Sequence, residues 1–227
     1  MLSDMVYATQ FQALRVWLDG LTPEDLSVDS VLPGWTVADL VGHLVGVAGT
    51  IAVLQPASDE TEPSTISAYL SGYAATAGQI SEIARQISAS AGPELLARLD
   101  EANAEAQEHL GRLGAFDRVV STQRGPTLLS DFLDTRLIEL VVHASDLAAS
   151  LPAHHPPTVL PTASRRVALV MRELLTEKAA QPVEALAAAS TMAVAGFIAL
   201  AAGRDLPAGD LPPADLPAAL TSALPLF

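Results

Sequence analysis

Apolar residues recur at helical spacing along most of this chain, and proline and glycine cut the pattern into segments. A first helix is expected from about Asp4 to Leu18, stopped at Gly20. Thr22-Pro23-Glu24-Asp25 then starts a short turn or helix, with proline at its permitted first position. From Val37 to about Leu54 the apolar residues are nearly unbroken: Leu40, Val41, Leu44, Val45, Val47, Ile51, Val53 and Leu54. A helix that is apolar all round is buried on every side. Thr36 and Asp39 have the spacing of a capping box at its start, and Trp35 and Leu40 are placed as a hydrophobic staple.

Beyond a polar loop at 56–63, residues 65–90 read as one helix, interrupted at Gly92-Pro93, and about 94–113 as a charged amphipathic helix. Another is expected at about 128–150, and the loop Leu-Pro-Ala-His-His-Pro-Pro after it marks a boundary. Helices at about 162–179 and 183–202 follow, the second framed by Pro182 and Gly203. The stretch 205–213 is rich in proline and glycine, and a short helix is expected near 216–223. Neither a run of period-two strands nor a fixed-period repeat stands out, so the expected class is all-α.

Composition narrows the function. Aromatics make up only 4% of a chain that is half hydrophobic, which favours helices packed through small side chains over a sheet core. A net charge of −14 argues against nucleic acid and against anionic membrane surfaces. The 227 residues include no cysteine, which excludes a thiolate metal site and a cysteine nucleophile; any thiol chemistry needs a thiol from outside. The start of the chain lacks a basic segment and cleavage site, so a cytoplasmic protein is expected. Ala185–Gly203 carries no charge and nominally reaches membrane-span length. It is mostly alanine, interrupted by Ser190, Thr191 and Gly196 and without flanking anchors, and is read as a buried helix.

The chemistry concentrates in Arg136-Leu-Ile-Glu-Leu-Val-Val-His-Ala-Ser-Asp146. Glu139 and His143 are one helical turn apart on one face, a spacing that lets a carboxylate and an imidazole share a metal ion. On a helical wheel Arg136, Glu139, His143 and Asp146 fall within about 80°. Leu129, Leu133, Leu137, Leu140 and Leu147 flank this stripe on one side, and Ile138 and Val142 on the other. The ordinary solvent stripe is expected through Ser130, Asp134 and Ser145. A plainer reading pairs Arg136 with Glu139 as a helix ion pair and Asp146 with Arg136 or a lysine. His43, the only strongly polar side chain after the first turn of its apolar helix, is either a hydrogen-bonded core histidine or a third ligand brought across a bundle. Asp39 is accounted for by its cap, His109 is expected at the surface, and His154 and His155 in a solvated loop.

Trp-Thr-Val-Ala-Asp-Leu-Val-Gly-His-Leu (35–44), followed far downstream by Arg-Leu-Ile-Glu-Leu-Val-Val-His-Ala-Ser-Asp-Leu (136–147), resembles the mycothiol-dependent maleylpyruvate isomerase family. That family lies within the DinB-like group of metal-binding four-helix bundles. Gly125-Pro126-Thr127 and the closing Ala-Leu-Pro-Leu-Phe are also similar. The resemblance implies a DinB-like four-helix bundle over 1–152. The region 158–227 reads from its own pattern as helical, either packed on the same core or a separate domain, and departs there from the mixed α/β domain of the better-known isomerase. The resemblance also implies metal ligands at His43, Glu139 and His143, with zinc the first guess among divalent cations. It further implies mycothiol as the thiol cosubstrate and a small electrophile as the second substrate of an isomerase or S-transferase. The family uses an arginine of its C-terminal region, which Arg204 matches loosely, while Arg136 is a candidate to support Glu139 or steer a substrate carboxylate. A non-catalytic metal-binding bundle serving in sensing or protein interaction is the alternative.

Overall fold

The computed structural model of the chain describes residues 2–58, 60–206 and 216–226. From residue 207 on, the proline-rich stretch expected at 205–213 lies outside the described residues, as does Phe227.

Four long helices form the bundle: α1 (Leu2–Leu18), α3 (Val37–Ala52), α6 (Leu95–Leu113) and α7 (Leu129–Ser150). Each of α1 and α3 packs against both α6 and α7. A short α2 (Pro23–Leu26) leads into α3, and α4 (Ile66–Ser71) leads into α5 (Tyr73–Ala91), which lies along α3. The C-terminal extension comprises α8 (Pro161–Lys178), α9 (Pro182–Ser190), α10 (Val194–Ala201) and α11 (Ala218–Thr221). Its α8 packs on α7 and α1, and α9 and α10 pack on α8. One apolar cluster runs from Tyr7 and Phe11 through Leu44 and Leu137 to Met171 and Phe197.

The capping box expected at Thr36/Asp39 forms, and the structure shows a second at Thr22/Asp25. No residue of α3 is exposed, as an all-apolar helix requires. Its close approach to α5 depends on Gly42: a Cβ there would lie 2.5 Å from the Ala84 carbonyl oxygen and 3.1 Å from Ser88 N. Gly42→Ala therefore forces two backbones apart and is expected to destabilise the fold by about 1–3 kcal/mol. A denaturant titration with an unshifted midpoint would contradict that packing.

Three expectations need correction. A small antiparallel sheet is present: β1 (Gln55–Pro56), β2 (Val119–Thr122) and β3 (Gly125–Leu128), in that order. Strands of two to four residues containing Pro56 and Pro126 are too short to show a period. The helix expected over 65–90 breaks at Gly72, against which the Arg124 side chain packs. The helix expected over 183–202 is two, because Ser190 Oγ and Thr191 Oγ1 bond back to the carbonyls of Leu186 and Ala188 and α9 stops there. Among the described residues no helix is long and apolar enough to cross a membrane.

Helix α7 also departs from its expected solvent face. Ser145 is exposed, but Asp134 is only 2% exposed and takes a two-pronged ion pair from Arg166 of α8. The C-terminal extension covers that side, so α7 is the central helix of the molecule.

Candidate metal centre

His43 sits in the second turn of α3, whose orientation is fixed from its first turn. The Asp39 carboxylate accepts from Thr36 N and Thr36 Oγ1, both at 2.9 Å, and from Ser88 Oγ of α5. Burial raises the pKa of Asp39, but these hydrogen bonds outweigh it and hold it below the ordinary value. Trp35, just before the helix, meets the His43 ring edge to face at 5.6 Å and donates its indole N–H to Ser81 Oγ at 2.8 Å. Arg85 donates to the same hydroxyl.

The sequence-derived triad converges. His43 Nε2 and His143 Nε2 each lie 3.1 Å from Glu139 Oε2, and the two imidazole rings are 4.8 Å apart and nearly perpendicular. One ligand atom from each of the three residues lies within 4.8 Å of the others. Side-chain exposures of 9–14% place the cluster beneath the surface without sealing it. Among the described residues this is the one group of three or more such side chains that could hold a metal ion.

Behind the triad stands Asp146, buried on the next turn of α7, with Oδ2 2.8 Å from His143 Nδ1. Arg204, just past Gly203, clamps Asp146 from the other side, Nε to Oδ1 at 2.8 Å and Nη2 to Oδ2 at 3.1 Å. Gly203 has φ +70° and ends α10, which lets the chain turn Arg204 inward. The cation that pairs with Asp146 is thus Arg204, not Arg136 or a lysine.

Charge within the site follows from this geometry. Burial raises Glu139, but hydrogen bonds from both histidines overcome it and hold the carboxyl well below its ordinary range. Burial lowers His43, which favours its neutral form. Burial also opposes charge on His143, yet its hydrogen bonds to Asp146 and Glu139 win and push it up to about 9. Asp146 is held low by His143 and Arg204 against the cost of its burial.

The remaining sequence candidates fall elsewhere. Arg136 makes no hydrogen bond to Glu139 and donates instead to Thr50, Thr135 and Tyr73. His109 is half-buried rather than superficial, with Nε2 2.7 Å from the Leu54 carbonyl. His154 pairs with Asp25 at 3.0 Å, whereas His155 is exposed. Sequence reasoning missed Trp35 as a neighbour of His43, and it missed Tyr73 and Arg124, which gather near Arg136. The Tyr69–Tyr73 spacing of one helical turn was the available signal for the latter.

Comparison with curated proteins and with solved structures yields no match. A family profile does match: the mycothiol maleylpyruvate isomerase N-terminal domain, over residues 7–148. That span holds His43, Glu139, His143 and Asp146, and leaves Arg204 outside it. Since the match covers well over half of the chain and contains the whole triad, the protein belongs to the mycothiol maleylpyruvate isomerase N-terminal domain family.

Proposed function

We propose that the chain holds one divalent cation, zinc in the first instance, on His43, Glu139 and His143, and uses it with mycothiol as an isomerase or S-transferase for a small electrophile. The observation that carries this reading is the convergence of two imidazole Nε2 atoms on one carboxylate oxygen. Two imidazoles and a carboxylate are a fitting donor set, and three protein ligands leave coordination positions for a reactant. When bound, such a cation lowers the pKa of a thiol and keeps it as the nucleophilic thiolate near neutral pH.

The chain's own residues supply the rest. Asp146 receives the Nδ1 side of His143, which orients the ring and turns Nε2 toward Glu139. Arg204 keeps Asp146 ionised and in place. Leu140, Val142 and Leu147 are buried around the stripe and limit water near it. With no cysteine in the chain, the nucleophilic sulfur comes from the cosubstrate, and a reduced small thiol fits a cytoplasmic setting.

Cobalt substitution tests the reading. Adding mycothiol to the cobalt protein should produce a sulfur-to-metal charge-transfer band in the near ultraviolet, with glutathione giving a weaker one. A cobalt spectrum that no thiol perturbs would leave a metal-binding bundle without thiol chemistry.

A further inference from the structure

A cavity of about 510 Å³ opens between α4, the last turns of α8 and Leu226. That volume lies within the roughly 300–1,000 Å³ of small-molecule sites. Two helices build the cavity with the same spacing. Ser67, Leu70 and Ser71 on α4, and Leu174, Glu177 and Lys178 on α8, each follow i, i+3, i+4, so each helix turns one stripe into it. Leu226 forms a third wall, and all three leucines are buried. Ser67 is half-buried, and Ser71, Glu177 and Lys178 are exposed. Hydrocarbon thus lies at the floor and the polar groups stand at the mouth.

The charges at the mouth are unspent. Lys178 is the one lysine of a chain with 26 acidic residues against 12 basic ones. Its ammonium donates to the Pro225 carbonyl, and no carboxylate among the described residues pairs with it. Glu177, beside it, has no hydrogen bond or ion pair from its carboxylate among those residues, and the Ser67 hydroxyl has no partner there either. An ammonium has three donors, so Lys178 keeps some to spare. An anion entering the cavity would meet Glu177, and a cation would meet Lys178. A zwitterion with a hydrocarbon side chain sets each of its charges against the opposite one and lays its apolar part on the leucines.

We propose that this cavity binds a free apolar α-amino acid of about the size of leucine. Its carboxylate takes Lys178, its ammonium takes Glu177, and its side chain covers Leu70, Leu174 and Leu226. Exposed charge pairs contribute little each, so the affinity is roughly millimolar, in the range of free amino acid pools rather than of a tight cofactor. Leu174, Glu177, Lys178 and Leu226 lie beyond the span that the family profile matches, which assigns them nothing. Occupancy is felt beyond the cavity. The Leu226 N–H donates to the Ala201 carbonyl at 2.9 Å, and Pro225 packs on Gly203, where an added Cβ would lie 3.2 Å from Pro225 Cβ. Gly203 is the turn that aims Arg204 at Asp146. An amino acid that draws Lys178 toward its carboxylate therefore acts on the segment that ends in Arg204.

Amide NMR of the isotope-labelled full chain tests the site. Leucine should move the Leu226, Gly203 and Arg204 amides saturably. Glycine lacks the side chain, isocaproate the ammonium and isopentylamine the carboxylate, and each should bind at least about threefold more weakly than leucine. Glu177→Gln removes no side-chain contact of the unliganded fold, so it should leave the spectrum well dispersed. It should also erase the advantage of leucine over isocaproate. Lys178→Met should erase the advantage over isopentylamine, and Ser71→Trp, at the exposed mouth, should fill the cavity and abolish binding. Equal binding of leucine and isocaproate by the unaltered protein would make this a plain anion site and overturn the proposal. Unchanged leucine binding in Glu177→Gln and Ser71→Trp would put the ligand elsewhere and overturn it too. Amides that none of the four compounds moves would do the same, and so would a chain that binds leucine only once Phe227 is deleted, its own end then being the occupant.

Discussion

A His143→Ala protein should carry almost no divalent metal while keeping its helical content. The substitution removes one of three ligand atoms and leaves His43 and Glu139, too few to close a stable site. The fold should survive, because the group most exposed to damage has a second partner: Asp146 remains clamped by Arg204 and is not stranded as a buried charge. His43→Ala should behave likewise, since it leaves Glu139 and His143 on α7 without a donor from α3. Elemental analysis of protein purified without a histidine tag, beside circular dichroism, decides the matter. Full metal retention in both variants would remove these residues as ligands, and loss of helix in both would make them structural instead.

The triad was legible because its information is local. Glu139 and His143 declare themselves by a one-turn spacing inside an apolar helix, and His43 by being the odd polar residue of another. The capping box at Thr36 set the phase of that second helix, and the structure has both its hydrogen bonds. Partnerships across the chain were hidden for the opposite reason. Nothing in the spacing around Asp146 announces that its counter-ion is 58 residues away, beyond a helix-ending glycine. Asp134 follows the same logic: on the isolated helix it falls on the solvent side, and only the docking of α8 makes it a buried ion-pair partner of Arg166. Periodicity reads one element against an average environment, so it fails where a neighbouring element supplies both cover and charge. The small sheet escaped for lack of length, although its hairpin turn carries Arg124 to Tyr73.

Metal uptake at neutral pH should expel about one proton per chain, and its source should be His143. In the metal-free protein this imidazole lies between Asp146 and Glu139, which push its pKa up to about 9 despite burial. It is therefore protonated at pH 7, while burial keeps His43 neutral. A metal needs the Nε2 lone pair that the His143 proton occupies, so proton and cation compete. Apparent metal affinity should rise roughly tenfold per pH unit from about 6.5 and level off near 9. The stability of the metal-free protein should run the other way. A histidine whose folded pKa is raised contributes stability that is fully present below its unfolded value, near 6.5, and lost as pH rises through about 9. Chelated protein should thus melt lower across that window, while protein held at a fixed, modest free-metal concentration should melt higher as metal replaces the proton. Calorimetry in buffers of different ionisation enthalpy gives the proton count directly. Binding enthalpies independent of the buffer, or parallel melting trends with and without metal, would mean that His143 is already neutral and that Asp146 serves only to orient it.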